Sequence, residues 1–81
     1  MKTQNLDKIL LIEFMEFFCL GKGFIDSDEL NRLYESSPVA SEMLAKCYSM
    51  NRSQFRAHVH EKDRVYIKDI AIKIYRFEGE L

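Results

Sequence analysis

The chain has few of the residues that break helices. Its 81 residues include one proline and three glycines. Long stretches can therefore stay helical, and no Pro-, Gly- or Ser-rich linker divides the chain. We find no low-complexity tract and no internal repeat in the sequence. A chain of this size supports one hydrophobic core, so we predict a single domain over residues 1–81.

Cysteine is also scarce. Cys19 and Cys47 are too few for the disulfide framework of a small secreted domain, and both lie in apolar segments. We interpret them as reduced thiols in the core. The N-terminal sequence MKTQNLDK contains Asp7, and no small-residue cleavage site follows the apolar run, which counts against a secretory signal. We therefore expect a cytoplasmic location.

No hydrophobic run reaches the length of about 20 residues that a membrane-spanning helix needs. The longest run, from Ile9 to Leu20, is apolar at ten of twelve positions and is interrupted by Glu13 and Glu16. It predicts a central helix and no membrane insertion.

This helix is apolar around most of its circumference, since Asn5, Lys8 and Glu16 share one narrow polar side. Two interpretations follow. The helix is the hub of a small bundle, or part of its surface is a homodimer seam or a groove for a protein partner. The residues of that candidate interface are Leu6, Leu10, Phe14 and Phe17.

Residues that support catalysis are almost absent. His58 and His60 are two positions apart and point to different sides of a helix, so they do not converge on a metal. No phosphate-binding glycine loop and no zinc-ligand spacing occurs. A nucleophile pair of Cys47 and His58 is the one arrangement that the sequence leaves open. We expect no enzymatic activity, no cofactor and no small-molecule substrate.

Start and stop signals divide the remaining chain into helices. Gly21 and Gly23 end the first helix, and Asp26 with Glu29 forms a capping pair for a second helix over residues 27–36. Ser37 before Pro38 starts a third helix that runs to about Ser49.

The run GKGFIDSDEL is similar to the second half of an EF-hand calcium loop, with Gly23, Ile25 and Glu29 in register. The earlier ligand positions fall at Phe18, Leu20 and Lys22, and none of these side chains has an oxygen to offer. We therefore predict no calcium site.

The fourth helix begins after Asn51, which can form a capping box with Gln54. Phe55 and Val59 then face inward. The outward side chains form the candidate recognition surface, for DNA or for an acidic partner: Arg52, Ser53, Gln54, Arg56 and His60.

The third and fourth helices together have the spacing of a helix-turn-helix over residues 39–61. Such a motif needs a small residue at the helix crossing, a tight turn, and an apolar anchor on the second helix, and Ala45, Ser49 and Phe55 occupy these places. The run LAKCYSMNRSQFRAHV resembles the helix-turn-helix of AraC-type transcription regulators. The sequence differs from that motif at Ser49, where the motif favours glycine, and at His58, where it has an apolar residue.

That resemblance implies DNA binding, with arginine and glutamine suited to bidentate contacts with base edges. Charge offers limited support. Residues 1–40 hold four basic and seven acidic side chains, whereas residues 46–76 hold eight basic and three acidic ones. A cationic face on the second half can attract phosphates or an acidic protein, although the net charge of the chain is −1.

Residues 64–77 admit two structures. As a helix, Ile67, Ile70, Ile74 and Phe77 form one apolar stripe, with Asp63 as the cap and Gly79 as the stop. As a β-hairpin, residues 64–67 and 70–75 would pair around residues 68–69 and form a wing beside the recognition helix. Lys-Asp suits a two-residue turn poorly, and we favour the helix.

A second resemblance covers more of the chain. The segments SPVASEMLAKCYSMNRSQFRAHV and DRVYIKDIAIKIYRF resemble small cytoplasmic proteins of T-even-type phages, such as the lysis-inhibition accessory antiholins. That resemblance implies a protein partner, the cytoplasmic part of a holin, and no chemistry. The sequence thus predicts a compact all-α bundle of four to five short helices that acts by binding DNA or a protein.

Overall fold

A computed structural model describes residues 3–79 and 81, with side chains from Leu6 onward. The prediction of a compact bundle of mostly α-helices is confirmed. No helix in the described ranges is both long and apolar enough to cross a membrane. The elements, in chain order, are α1 (Thr3–Phe18), β1 (Phe24–Asp26), α2 (Ser27–Ser36), α3 (Pro38–Cys47), α4 (Arg52–Lys62), β2 (Arg64–Tyr66) and α5 (Ile67–Arg76).

Capping residues set the starts of the middle helices where the sequence predicts them. At α2, the Glu29 amide donates to Asp26 Oδ1 at 3.0 Å, and the Asp26 amide donates to Glu29 Oε1 at 3.2 Å. At α3, the Ala40 amide donates to Ser37 Oγ at 3.2 Å. These bonds satisfy amide groups that have no partner within the first helical turn.

The C-terminal segment combines parts of both sequence interpretations. Residues 67–76 are helical, as the apolar stripe predicts, but residues 64–66 form a strand. The hairpin with residues 70–75 is absent, because β2 pairs with β1. Asp63 is not the cap of this helix: it ends α4 at a φ of 76°, and Tyr66 precedes α5 without a side-chain capping bond.

The two strands are antiparallel and centred on the pair Ile25 and Val65, both buried. The Ile67 amide adds a hydrogen bond of 2.8 Å to the Gly23 carbonyl. Around this pair, α1 packs on α5 and α2 packs on α4. These contacts map onto themselves when the helix–strand–helix unit α1-β1-α2 is exchanged with the unit α4-β2-α5, whereas the contact of α4 with β2 has no counterpart of the same extent between α1 and β1. The element order and the antiparallel strand pair therefore give the two units an approximate two-fold relation, with α3 as the connection.

This internal repeat has an offset of 40 positions, as Ile25 and Val65 show. Gly23 and Asp63 both have positive φ angles, of 82° and 76°. Over residues 12–36 and 52–76, Lys22 and Lys62 are the one identical pair. The sequence analysis missed the repeat because the two units share a few buried core positions and the positive φ before each strand, but almost no residue identities.

The core lies between the two units and is filled mainly by aliphatic side chains. Its fully buried members include equivalent positions of both units: Met15 and Phe55, Cys19 and Val59, Leu30 and Ile70. Lys8, which we expected on a polar side of α1, is buried and only 8% exposed. Its ammonium donates to the carbonyl oxygens of Tyr75, at 3.5 Å, and Phe77 at the end of α5. The side chain of Asn5 lies outside the described residues.

Glu29, the last ligand position of an EF-hand loop, is 1% exposed. Its Oε2 atom forms an ion pair with the Lys22 ammonium and lies 3.7 Å from Arg32 Nη2. Oε2 receives no directional hydrogen bond, so these cations balance its charge. A lysine of the loop thus stands beside the carboxylate where a calcium-binding loop would hold its ion.

Ser49 occupies the turn between α3 and α4 with a φ of 58°. Residues other than glycine are strained in this left-handed region, because they carry a Cβ atom. We expect Ser49→Gly to raise the free energy of unfolding by about 0.5–1 kcal/mol, since the strain exceeds the added freedom of the unfolded chain. Urea denaturation followed by circular dichroism measures this change in the free energy of unfolding. Ser53→Gly, in the first turn of α4, should instead lower stability; equal losses from both substitutions would contradict the prediction.

Candidate binding surfaces

The helix pair predicted from residues 39–61 is present as α3 and α4, which contact each other. Ala45 and Phe55 are buried at 1% and 0% exposure, and Ser49 has the left-handed conformation of the expected turn. His58 is half-buried, with its ring 5.6 Å from that of Tyr48 and 6.2 Å from that of Phe55. An aromatic cluster therefore accommodates the histidine where an apolar residue was expected.

The N-terminus of α4 is closed by the predicted capping box. The Gln54 amide donates to Asn51 Oδ1 at 2.8 Å, and the Asn51 amide donates to Gln54 Oε1 at 2.9 Å. The side-chain oxygen of Gln54 is thus already used, and only its NH₂ group remains for an external ligand. This limits the bidentate contact to adenine that glutamine can offer.

Arg52 and Arg56 are exposed and lie against Tyr34 of α2. Their guanidinium carbons are 5.2 and 6.0 Å from the centre of the tyrosine ring. The Tyr34 hydroxyl donates to the Arg52 carbonyl oxygen. Burial raises the pKa of Tyr34, although the two arginines act in the opposite direction. Among the described residues, no carboxylate lies within ion-pair distance of either arginine.

Ser53, Arg56 and His60 line one side of a groove of about 410 Å³ between α4 and α2. His60 Nδ1 lies 3.5 Å from Ser27 Oγ across this groove. At helical spacing, Ser53 and Ala57 form the middle of the outward face of α4. The structure thus brings all five predicted recognition residues to one exposed helix, but it places the two arginines at the edge of that face.

The exposed face of α1 carries large apolar side chains. Leu6, Leu10 and Phe17 of the predicted interface are 56%, 52% and 78% exposed. Phe14, the fourth predicted residue, is half-buried and stacks on Phe18 at 6.0 Å, so it belongs to the helix packing. Ile9 and Leu20 are also exposed and were not singled out from the sequence. We call Leu6, Ile9, Leu10, Phe17 and Leu20 the α1 stripe.

Glu13 and Glu16 are exposed on the same side of α1. At 100° per residue, Leu6, Leu10, Glu13 and Phe17 fall within one narrow sector, and Glu13 lies between Leu10 and Phe17 along the helix axis. The stripe is therefore apolar, with Glu13 within it and Glu16 at its edge. The apolar helical pattern revealed this surface, but the sequence could not show which part of the circumference the other helices cover.

The two cysteines are buried, as predicted, and neither forms a disulfide. Burial raises the pKa of Cys19 and of Cys47 to about 11. Both thiols therefore stay protonated near neutral pH, which opposes a nucleophilic role. No hydrogen bond joins Cys47 to His58. Within the described ranges, no group of three or more His, Cys, Asp or Glu side chains is arranged to hold a metal.

The second half of the chain contains cations that sequence reasoning did not separate from Arg52 and Arg56. Lys62, Arg64 and Lys73 line a different groove, together with His58. The excess of basic residues over positions 46–76 was a signal for them, but their convergence depends on the pairing of β2 with β1.

Comparison of the chain with protein-family models, curated proteins and solved structures finds no match.

Proposed function

We propose that the chain is a non-enzymatic regulatory protein that acts by binding another protein through the α1 stripe. The observation that carries this proposal is the exposure of four large apolar side chains on α1, and of Leu20 just after it, in an 81-residue chain. Single exposed apolar residues are normal on a protein surface, whereas a contiguous apolar face marks an interaction site.

The stripe has enough apolar surface to support specific binding. Covering a leucine or phenylalanine that is fully exposed contributes roughly 1.5–3 kcal/mol. Leu6, Leu10 and Phe17 are each more than half exposed, so each still retains much of that contribution. Aromatic residues are also enriched among the residues that dominate binding energy at interfaces, and Phe17 is the most exposed member.

The acidic groups favour a different protein over a second copy. In an antiparallel pair of α1 helices centred on the stripe, Glu13 would lie close to Glu13 of the other copy, and like charges repel. A helix with apolar residues on both sides of a lysine or arginine would instead match the stripe in charge and in shape. The resemblance to phage antiholins supports the same kind of ligand, since it implies a protein partner.

Photo-crosslinking tests this proposal directly. A photoreactive amino acid at position 17, expressed in the source cells, should crosslink to one polypeptide in stoichiometric amount, because Phe17 lies in the proposed contact. The same group at Val39, which is 67% exposed on α3, is the matched control and should capture no such polypeptide. Leu10→Glu should abolish the crosslink from position 17, which gel electrophoresis and mass spectrometry measure.

Three results would contradict the proposal. The first is equal capture from positions 17 and 39, and the second is capture of nuclease-sensitive material in place of a polypeptide. The third is exclusive crosslinking between copies of this chain, which would assign the α1 stripe to a homodimer. Circular dichroism of Leu10→Glu should match the unmodified protein, since Leu10 is exposed.

DNA binding by α4 is a second candidate, and one observation favours it. Arg52 and Arg56 lie free of carboxylates among the described residues, beside the turn of a helix-turn-helix-like pair. For this candidate we expect binding to duplex DNA to weaken steeply with rising salt. Arg52→Ala with Arg56→Ala should weaken it by roughly tenfold or more while the fold remains intact.

Electrophoretic mobility shifts at several salt concentrations measure this effect. Lys68→Ala removes an exposed cation of α5 and serves as the control, since Lys68 lies outside the α4 surface. Absence of any shift with duplex DNA at low salt would end the nucleic-acid candidate.

A further inference from the structure

The approximate two-fold relation makes the surroundings of the two strands directly comparable. In the first unit, Lys22 precedes the residue of positive φ and forms an ion pair with the buried Glu29. In the second unit, Lys62 holds the equivalent position, and Asp69 replaces Glu29. Asp69 is exposed and has a shorter side chain, and no ion pair joins it to Lys62. Lys62 therefore has no ion pair equivalent to that between Lys22 and Glu29.

An open cleft lies at this place, between α4, β2 and α5. Its volume is about 360 Å³, within the range of sites for small molecules. Lys62, Arg64 and Lys73 reach it from three different elements, and His58 lies beside them. Asp69 is the one carboxylate in its lining. The cleft is thus positively charged in a chain whose net charge is −1.

Aromatic rings hold two of these cations in place. The Arg64 guanidinium carbon lies 4.5 Å from the ring centre of Phe24, and Lys73 Nζ lies 5.3 Å from that of Tyr48. Burial raises the pKa of Tyr48 to about 12, so its hydroxyl adds no negative charge near neutral pH. Cations held on rings keep their hydrogen-bond donors available for an anion.

We propose that this cleft binds the phosphate group of a small molecule, up to about the size of a mononucleotide. A phosphate monoester carries a charge between −1 and −2 at neutral pH, which balances the excess of cations in the cleft. Arg64 supplies paired N–H donors, and Lys62 and Lys73 supply ammonium groups. Tyr66, 45% exposed at the edge, offers a ring for the remainder of the ligand. The proposal is independent of the α1 stripe.

Isothermal titration at low ionic strength, with pyrophosphate and adenosine monophosphate as probes, tests the proposal. We expect saturable binding that weakens as salt rises. Lys62→Glu should weaken it by about tenfold or more, because it places a negative charge in the cleft. Asp69→Asn should strengthen it several-fold by removing the one carboxylate. Lys68→Glu makes the same charge change as Lys62→Glu outside the cleft and should change affinity less than twofold.

Each opposite result would overturn the proposal. No saturable binding of either probe to the unmodified protein would exclude the site. Equal losses from Lys62→Glu and Lys68→Glu would show diffuse charge attraction in place of a cleft. A short single-stranded oligonucleotide that binds tenfold or more tightly than adenosine monophosphate would assign the cleft to a nucleic-acid strand. Circular dichroism should show that all three variants fold, since the substituted residues are exposed.

Discussion

Replacing Lys22 with methionine should lower the free energy of unfolding by about 2 kcal/mol. The substitution removes the ammonium beside Glu29, which is 1% exposed and cannot be hydrated in the folded state. Breaking a buried ion pair by removing one partner costs roughly 3–5 kcal/mol, because the other charge is left uncompensated. The expected loss is smaller here because Lys22 is partly exposed and Arg32 remains 3.7 Å from the carboxylate. Urea denaturation followed by circular dichroism gives the value.

A second substitution separates charge from packing. Lys22→Met combined with Glu29→Gln should recover part of the lost stability, since the amide is neutral and its oxygen can still accept the bond from the Asp26 amide, while its NH₂ group replaces an oxygen that has no hydrogen-bond partner. Lys62→Met, at the equivalent position of the second unit, should change stability by less than about 0.5 kcal/mol because Lys62 forms no ion pair with a described residue. A large loss in Lys62→Met, or no recovery in the double variant, would refute this account.

Replacing Phe55 with alanine should destabilise the protein more, by about 4 kcal/mol. The side chain is fully buried, and its ring lies 4.8 Å from that of Tyr48 and 6.2 Å from that of His58. Truncation of a buried phenylalanine loses its transfer free energy and leaves a cavity, which together cost roughly 3–5 kcal/mol. Small domains have total stabilities of about 5–15 kcal/mol, so this variant should be close to unfolding at physiological temperature. Thermal and urea denaturation both measure the effect.

The matched control is Phe17→Ala on α1. Phe17 is 78% exposed, so its truncation should change stability by no more than about 0.5 kcal/mol. Replacement of phenylalanine by alanine should therefore reduce stability at position 55 and reduce partner binding at position 17. Similar stability losses at the two positions would contradict both the packing assigned to Phe55 and the exposure assigned to the α1 stripe.

Local signals in the sequence predicted the helices well, and the reason is physical. Asp26 with Glu29, Ser37 with Pro38, and Asn51 with Gln54 each act within a few residues, so the pattern alone determines the hydrogen bonds. The cytoplasmic location, the partner and the absence of catalysis stay predictions.

Long-range contacts were not predictable in the same way. The three residues of β1 lie in a run of loop and capping signals, and they become a strand only because Val65 is placed opposite Ile25. Lys8 fits a polar side of α1 by spacing, yet the end of α5 covers it and accepts its hydrogen bonds. The candidate surfaces depend on such contacts, since burial decides which residues of α1 and α4 remain available.

The pairing of β1 with β2 also constrains how the chain folds. During synthesis, the backbone groups of residues 24–26 cannot form these hydrogen bonds until residues 64–66 have left the ribosome. Bringing β1 and β2 together closes a long loop, and the loss of chain entropy precedes the favourable contacts. We therefore expect the strand pair to form late in folding. A nascent chain stalled before Val65 would keep Ile25 and an unpaired strand edge exposed to chaperones and proteases.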